Sequence, residues 1–294
     1  MELVRDCYYD DPLEVAANRF SCSDKWFSVE NLIQLYLPGK VLDIGAGCGI
    51  SSYAFDRLGC DATALELDPG SLVGAEAIQN LMKNAQLPIK IVQDFGEVLP
   101  FESNTFDIVY GRAVLHRAQD LNKLCAEASR VLKPGGIFLT TREHVISKRK
   151  DLPLFLENHS LHHLYGGENA FLLKEYKAAI KNSGLILQKE IGPYDNVINY
   201  APGTEQSIKN NVETTLTRIL GKKLGYEIAK NKLIQNFCVW LYSKTTNQLG
   251  RHYSFLAVKN DYSNSICPDY WSCRLYWPLY CSVFLRSRLF SDWH

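Results

Sequence analysis

Between Lys40 and Thr141 short apolar, β-branched runs alternate with helical stretches, and this alternation limits the fold more than any other feature. Lys40–Ile44 reads as a strand ending at Gly45, and Ile50–Leu58 follows it as a helix. Ala62–Leu67 is the next predicted strand, and Pro69-Gly70 is expected to open a helix running toward Ala85. Ile89–Gln93 and Thr105–Tyr110 read as further strands. Leu121–Leu132 carries apolar residues at 121, 124, 125, 128, 131 and 132, close to helical spacing. Lys133-Pro134-Gly135-Gly136 stops that helix before a strand at Ile137–Thr141. A helix over Leu172–Asn182 and strands over Leu185–Ile191 and Tyr253–Lys259 resume the pattern. Such alternation predicts an α/β fold, a doubly wound, mostly parallel seven-stranded sheet with helical cap insertions.

The rhythm breaks in two places, after the fifth strand (143–170) and between the last two (193–250), and these segments are expected to cap the sheet. Residues 1–38 read as a helical lid segment, 39–260 as the sheet domain, and 261–294 as a separate tail dense in Tyr, Trp, Cys and Arg. Composition excludes several classes. Lys and Arg number 32 against 32 Asp and Glu, so the net charge is zero, which argues against a broad electrostatic grip on nucleic acid. Nine dispersed Cys without a CxxC pair read as reduced thiols of a cytoplasmic protein. The start of the chain lacks the basic and apolar regions of an export signal, and no apolar run reaches the roughly 18 residues of a membrane span.

The stretch Val41-Leu42-Asp43-Ile44-Gly45-Ala46-Gly47-Cys48-Gly49 is a strand entering a glycine turn at a helix N-terminus, where a ligand can approach the backbone closely. A dinucleotide fingerprint wants glycine at position 50, which is Ile. Asp43 before the turn would repel a pyrophosphate and favour a cationic ligand. S-adenosylmethionine is such a ligand, with a sulfonium, an ammonium and no phosphate. Glu66 closes the second strand, where doubly wound folds hold ribose hydroxyls with a carboxylate. Asp94 and Phe95 close the third; the carboxylate can take an adenine amino group, and Leu67 with Phe95 can sandwich the ring.

These segments, together with ALELDP, QDFGEVLPFESNTFDIVYGRAVLH and RVLKPGG, resemble in order and spacing the class I S-adenosylmethionine-dependent methyltransferases of the small-molecule branch. The resemblance covers residues 25–142 well and 172–191 loosely. It implies a Rossmann-like sheet, with Asp43, Gly45, Ala46 and Gly47 at the methionine end of the cofactor. It further implies Glu66 at the ribose, Leu67, Asp94 and Phe95 around the adenine, and the backbone at Gly111-Arg112 facing the methionine ammonium.

Ligand crevices in such sheets lie beyond the C-terminal strand ends, so the insertions are expected to form the substrate walls. The first contains Glu143-His144, His159, His162, His163, Tyr165 and Gly166-Gly167-Glu168-Asn169, and His116 follows the fourth strand. Transfer to a hydroxyl calls for a base, and His116, His144 and His163 are the candidates. His159, His162 and His163 lack a Cys pair or a third spaced ligand, so no metal is expected. The reading is therefore O-methylation of a small molecule. Its alternatives are an S-adenosylmethionine-binding regulatory protein without turnover and an RNA methyltransferase, the latter suggested only by Lys148-Arg149-Lys150 and the lysines at 222, 223, 230 and 232. In the tail, Trp271, Trp277, Trp293, Arg286 and Arg288 suit a peripheral membrane contact, and packing onto the domain or against a second subunit is the competing expectation.

Overall fold

The computed structural model describes residues 12–261, so the membrane, packing and subunit contacts expected of the tail lie outside the described residues. The chain enters through helices α1 (Leu13–Ser21) and α2 (Asp24–Ile33), the latter capped where Ser23 Oγ accepts from the Trp26 amide. Strand β1 (Lys40–Ile44), helix α3 (Ile50–Arg57), strand β2 (Asp61–Leu65), helix α4 (Ala75–Ala85) and strand β3 (Lys90–Val92) follow. Next come β4 (Phe106–Arg112), α5 (Leu121–Val131) and the long β5 (Leu132–Ile146). The first insertion holds α6 (Leu152–Glu157) and α7 (Ser160–Tyr165), and leads through β6 (Phe171–Leu172) to α8 (Leu173–Asn182) and β7 (Leu185–Ile191). The second holds α9 (Val197–Tyr200), α10 (Glu205–Leu220), α11 (Lys222–Ala229) and α12 (Lys232–Thr245) before β8 (Arg251–Lys259).

The strands form one sheet in the order β3-β2-β1-β4-β5-β8-β7, with β6 pairing β5 off that path. All pairs from β3 to β5 are parallel, and β8 is antiparallel to both of its neighbours. Successive strand residues point to opposite faces, and in the central strands both faces are buried. Val41, Ile108 and Tyr110 face one layer with Trp26, Phe55 and Ile78; Leu42, Ile44, Phe106 and Val109 face the other with Leu124, Tyr176 and Phe255. Trp26 meets Phe55 edge-on at 4.9 Å and Tyr110 at 6.4 Å, so the N-terminal helices are part of the core on that face.

Two departures from the sequence reading bear on the site. The helix expected at Pro69-Gly70 begins at Ala75, because Asp68 folds its side chain onto the Gly70 amide (2.7 Å) and its carbonyl onto the Ala75 amide (2.7 Å). The fifth strand does not stop at Thr141. It passes a register shift between Thr140 and Glu143, where Arg142 takes φ +63°, and runs on to Ile146, opposite β8 as far as Val145. Glu143 and His144 are thus sheet residues paired with Tyr253 and His252, and the first insertion starts at 147 rather than at 143.

Candidate functional site

The turn after β1 is built for close approach. Gly45 (φ +63°) and Gly47 (φ +59°) hold left-handed conformations that a side chain would strain. A Cβ on Gly45 would press within 2.6 Å of a Val114 methyl, whereas one on Gly47 would meet nothing within 4 Å, so the turn is open at Gly47. Ala46 donates its amide to the Leu65 carbonyl (3.1 Å), tying the turn to the end of β2. Glu66 comes next in the chain and accepts from the Gly47 amide (2.7 Å) and the Asp68 amide (3.0 Å). A carboxylate has about four acceptor positions, so two remain for hydroxyls at the mouth.

Leu67 and Phe95 are each 49% exposed, two apolar side chains standing at neighbouring strand ends. Asp94 accepts from the Phe95 amide (2.8 Å) and is only partly buried. Two carboxylates and two apolar side chains thus line one rim, a donor set whose chemistry suits an adenosine without a phosphate. Asp43 stands differently. It is buried, and accepts from Ser52 Oγ (2.7 Å) across the turn, while burial pushes its carboxyl up to about 7 against that hydrogen bond. Its place is to tie β1 to the first turns of α3. At the end of β4, Gly111 is closed over by a Val114 methyl, and the Arg112 guanidinium lies over the Phe20 ring at 4.9 Å.

Beyond β4 the chain turns sharply, and a second group of side chains gathers. Val114, which closes over Gly45 and Gly111, gives its amide to Glu143 Oε1 (3.3 Å). Glu143 Oε2 accepts from the His116 amide (3.0 Å) and pairs with His116 Nδ1 (2.9 Å). On the other side of the ring, His116 Nε2 meets Glu168 Oε2 at 3.2 Å, and Arg117 Nε lies 3.6 Å from Glu168 Oε1. The three side chains of this array are 2%, 0% and 3% exposed, respectively His116, Glu143 and Glu168. Burial alone would lower the His116 pKa, but its bonds to both carboxylates outweigh burial and raise it. Burial likewise opposes ionisation of Glu168, yet the His116 bond and charge, with Arg117 and His159, hold it at about 2.

His144 packs edge-on against His116 (4.6 Å between ring centres), beside His252 (4.9 Å) and His159 (5.1 Å). Its Nδ1 lies 2.8 Å from the Gly250 carbonyl, which can only accept; Nδ1 therefore carries the proton and Nε2 the lone pair. Burial, aided by the His116 charge, depresses the His144 pKa to about 2 and keeps the ring neutral. Of the candidate bases, His116 and His144 come together here. His163 does not join them: it is exposed, and its Nε2 bonds the Glu157 carbonyl (2.8 Å). Glu143 is the residue whose position the sequence reading missed. Its signal was available in Val145-Ile146, a β-branched pair that continues the strand past His144.

Residues 42–140 match the sequence profile of the methyltransferase domain family. The chain is 35% identical over 106 residues to the uncharacterized methyltransferase YcgJ of Bacillus subtilis, an alignment covering 34% of this chain and 39% of that protein. It is 33% identical over 103 residues to the ubiquinone biosynthesis O-methyltransferase of Xanthomonas oryzae, covering 35% of this chain and 42% of that one. The chain thus spans about two fifths of the length of these curated relatives. The crystal structure of YcgJ superposes with a TM-score of 0.52 at 21% identity, over 80% of this chain and 98% of that one. Geranyl diphosphate C-methyltransferase from Streptomyces coelicolor, solved with S-adenosyl-L-homocysteine, gives a TM-score of 0.52 at 15% identity over 79% of each chain.

Proposed function

On the premise that this chain belongs to the class I S-adenosylmethionine-dependent methyltransferases, we propose that it methylates a small molecule, and that the acceptor atom is a hydroxyl oxygen. The observation that carries this reading is the juxtaposition of the two groups just described. Val114 touches the glycine turn with its side chain and the Glu143–His116–Glu168 array with its amide, so the array adjoins the methionine end of the cofactor crevice. When bound, S-adenosylmethionine supplies an electrophilic methyl group on a sulfonium. Glu66 holds the ribose, Leu67 and Phe95 clamp the adenine, and Asp94 takes its amino group, while Asp43 keeps the turn in shape from beneath.

The array orients the acceptor. Glu168 is ionised and accepts a hydrogen bond from the acceptor hydroxyl, whose proton passes to solvent as the oxygen–methyl bond forms and the sulfur–methyl bond breaks; His116 links Glu168 to Glu143, the positioning residue that fixes the imidazole from below. A charged array this deeply buried suits a compact acceptor better than a polynucleotide. The similarity to a ubiquinone biosynthesis O-methyltransferase supports the same class of substrate.

The test supplies methyl-labelled S-adenosylmethionine to the full chain with a panel of hydroxylated small molecules and, separately, with RNA. The reading expects S-adenosylhomocysteine in equal amount to a small-molecule product whose labelled carbon has the chemical shift of a methoxy group. Label on nitrogen or carbon would overturn the oxygen assignment. Label in RNA alone, or binding without S-adenosylhomocysteine from any acceptor, would overturn the substrate class or the enzymatic reading.

A further inference from the structure

The proton that joins His116 to Glu168 occupies a place with the outline of a metal site. His116, His144 and Glu168 each offer one ligand atom, and these atoms all lie within 4.8 Å of one another. Two of these atoms, His116 Nε2 and Glu168 Oε2, are 3.2 Å apart. Ligands about 2.1 Å from a tetrahedral ion stand roughly 3.4 Å apart, so this pair already has that spacing. We propose that His116, His144 and Glu168 hold a divalent transition-metal ion of the zinc type, leaving one coordination position open toward the acceptor.

Three further observations support the assignment. The first is the set of outer partners. His116 Nδ1 is held by the Glu143 carboxylate and His144 Nδ1 by the Gly250 carbonyl, so Nε2 is the nitrogen each ring offers to the group. Metal-bound imidazoles have this arrangement, with the far nitrogen fixed by a carboxylate or carbonyl that sets the tautomer and the ring angle. The second is charge. Two buried carboxylates converge on one imidazole, and Arg117, 39% exposed, is the only other cation paired with them among the described residues. With His116 protonated these charges balance, and a divalent ion replacing the His116 proton keeps both carboxylates countered where water cannot. The third is His159, whose ring packs 5.1 Å from His144 and whose Nδ1 is buried without a hydrogen-bond partner.

Two histidines and a glutamate with an open position form a catalytic type of zinc site, since a closed structural site takes four protein ligands. Loading the ion displaces the His116 Nε2 proton to solvent, so affinity rises with pH. An acceptor oxygen on the open position would be polarised by the ion and would give its proton to solvent more readily, Glu168 then being a ligand. That role rests on the methyltransferase reading; the ligand set does not.

The experiment strips the full chain with a chelator, removes the chelator, and titrates Zn2+ alone by calorimetry, with elemental analysis of the dialysed protein. One ion per chain is expected. Glu168→Gln and His144→Gln should each weaken binding at least about a hundredfold, and His163→Gln should leave it unchanged. Co2+ in the same site should show the intense visible bands of a low-coordinate nitrogen–oxygen centre, lost in Glu168→Gln. Melting curves on every sample separate lost ligands from lost folding. No saturable Zn2+ binding by the unaltered chain, or equal affinity in the folded ligand variants, would overturn the proposal. Titration of S-adenosylmethionine into the same samples keeps the two readings apart, because loss of cofactor binding with zinc retained would count against the methyltransferase reading alone.

Discussion

Glu143→Gln should cost far more than an isosteric change on a surface would. The carboxylate is buried and accepts from the Val114 amide (3.3 Å), the His116 amide (3.0 Å) and His116 Nδ1 (2.9 Å). Glutamine offers one acceptor oxygen and sets an NH2 donor against one of these N–H groups. Losing the charge-assisted bond costs about 1.5–3 kcal/mol, and a buried donor left without a partner adds about 1–3 kcal/mol. The sum, about 2.5–6 kcal/mol, brackets the roughly 3–5 kcal/mol cost of removing one partner from a buried pair. For a domain of this size that lowers the melting temperature by about 5–24 °C. Differential scanning calorimetry at pH 7 measures the loss, and a proton NMR titration of the histidines reads the cause. Glu143 helps hold the His116 pKa above its ordinary value against burial, so in the variant it should fall. The stability that a raised His116 pKa contributes is fully present below about pH 6.5 and disappears as pH rises through the folded value. The gap between parent and variant should therefore narrow at high pH. A loss below about 1 kcal/mol with an unchanged His116 titration would refute the reasoning.

Ser52→Ala removes the hydroxyl that bonds Asp43 (2.7 Å) and should cost about 1.5–3 kcal/mol. Burial already raises Asp43 to about 7, so its ionised form is the strained one; denaturation at pH 8 should show a larger deficit than at pH 5, where the group is protonated in both proteins. Burial, helped by Arg142, lowers His252 to about 3, so between pH 6.5 and that value the unfolded chain binds a proton that the folded chain does not. Relative to His252→Asn, the parent should lose up to about 1.4 kcal/mol per pH unit below pH 6.5, read as the difference in slope of denaturation free energy against pH. Leu67→Ala and Phe95→Ala should each weaken S-adenosylmethionine about three- to tenfold and leave the melting temperature within about 2 °C, because half-exposed side chains contribute little to folding.

The two halves of the site differ in how far the sequence discloses them. The half proposed to hold the cofactor is local: Asp43, Gly45, Gly47, Glu66, Asp94 and Phe95 each sit at or just past the end of a strand whose apolar run is plain, and β1 has the bounds Lys40–Ile44 that its pattern predicts. Helix α4 starts later than its sequence predicts because Pro69-Gly70 is a helix-start signal, while the Asp68 side-chain and carbonyl bonds that delay the helix leave no trace in local periodicity. The other half depends on pairing between strands. His116, Glu143 and Glu168 are far apart in the chain and meet only because β5 runs past its bulge to Ile146 and the first insertion folds back over it. Local periodicity carries no information about such a meeting. His163 looked equivalent to His116 in the sequence, yet its ring faces the Glu157 carbonyl on its own insertion.

The central claim is that the turn between β1 and α3 holds S-adenosylmethionine with Glu66 on its ribose. Calorimetric titration of the full chain and of Glu66→Ala tests it directly. Charge-assisted bonds to the ribose are worth about 1.5–3 kcal/mol each. With about 1.4 kcal/mol per factor of ten, the variant should bind at least tenfold more weakly. The account predicts one S-adenosylmethionine per chain, competition by S-adenosylhomocysteine, and that loss in Glu66→Ala. Absence of binding by the unaltered chain, or equal affinity in both proteins, would contradict it.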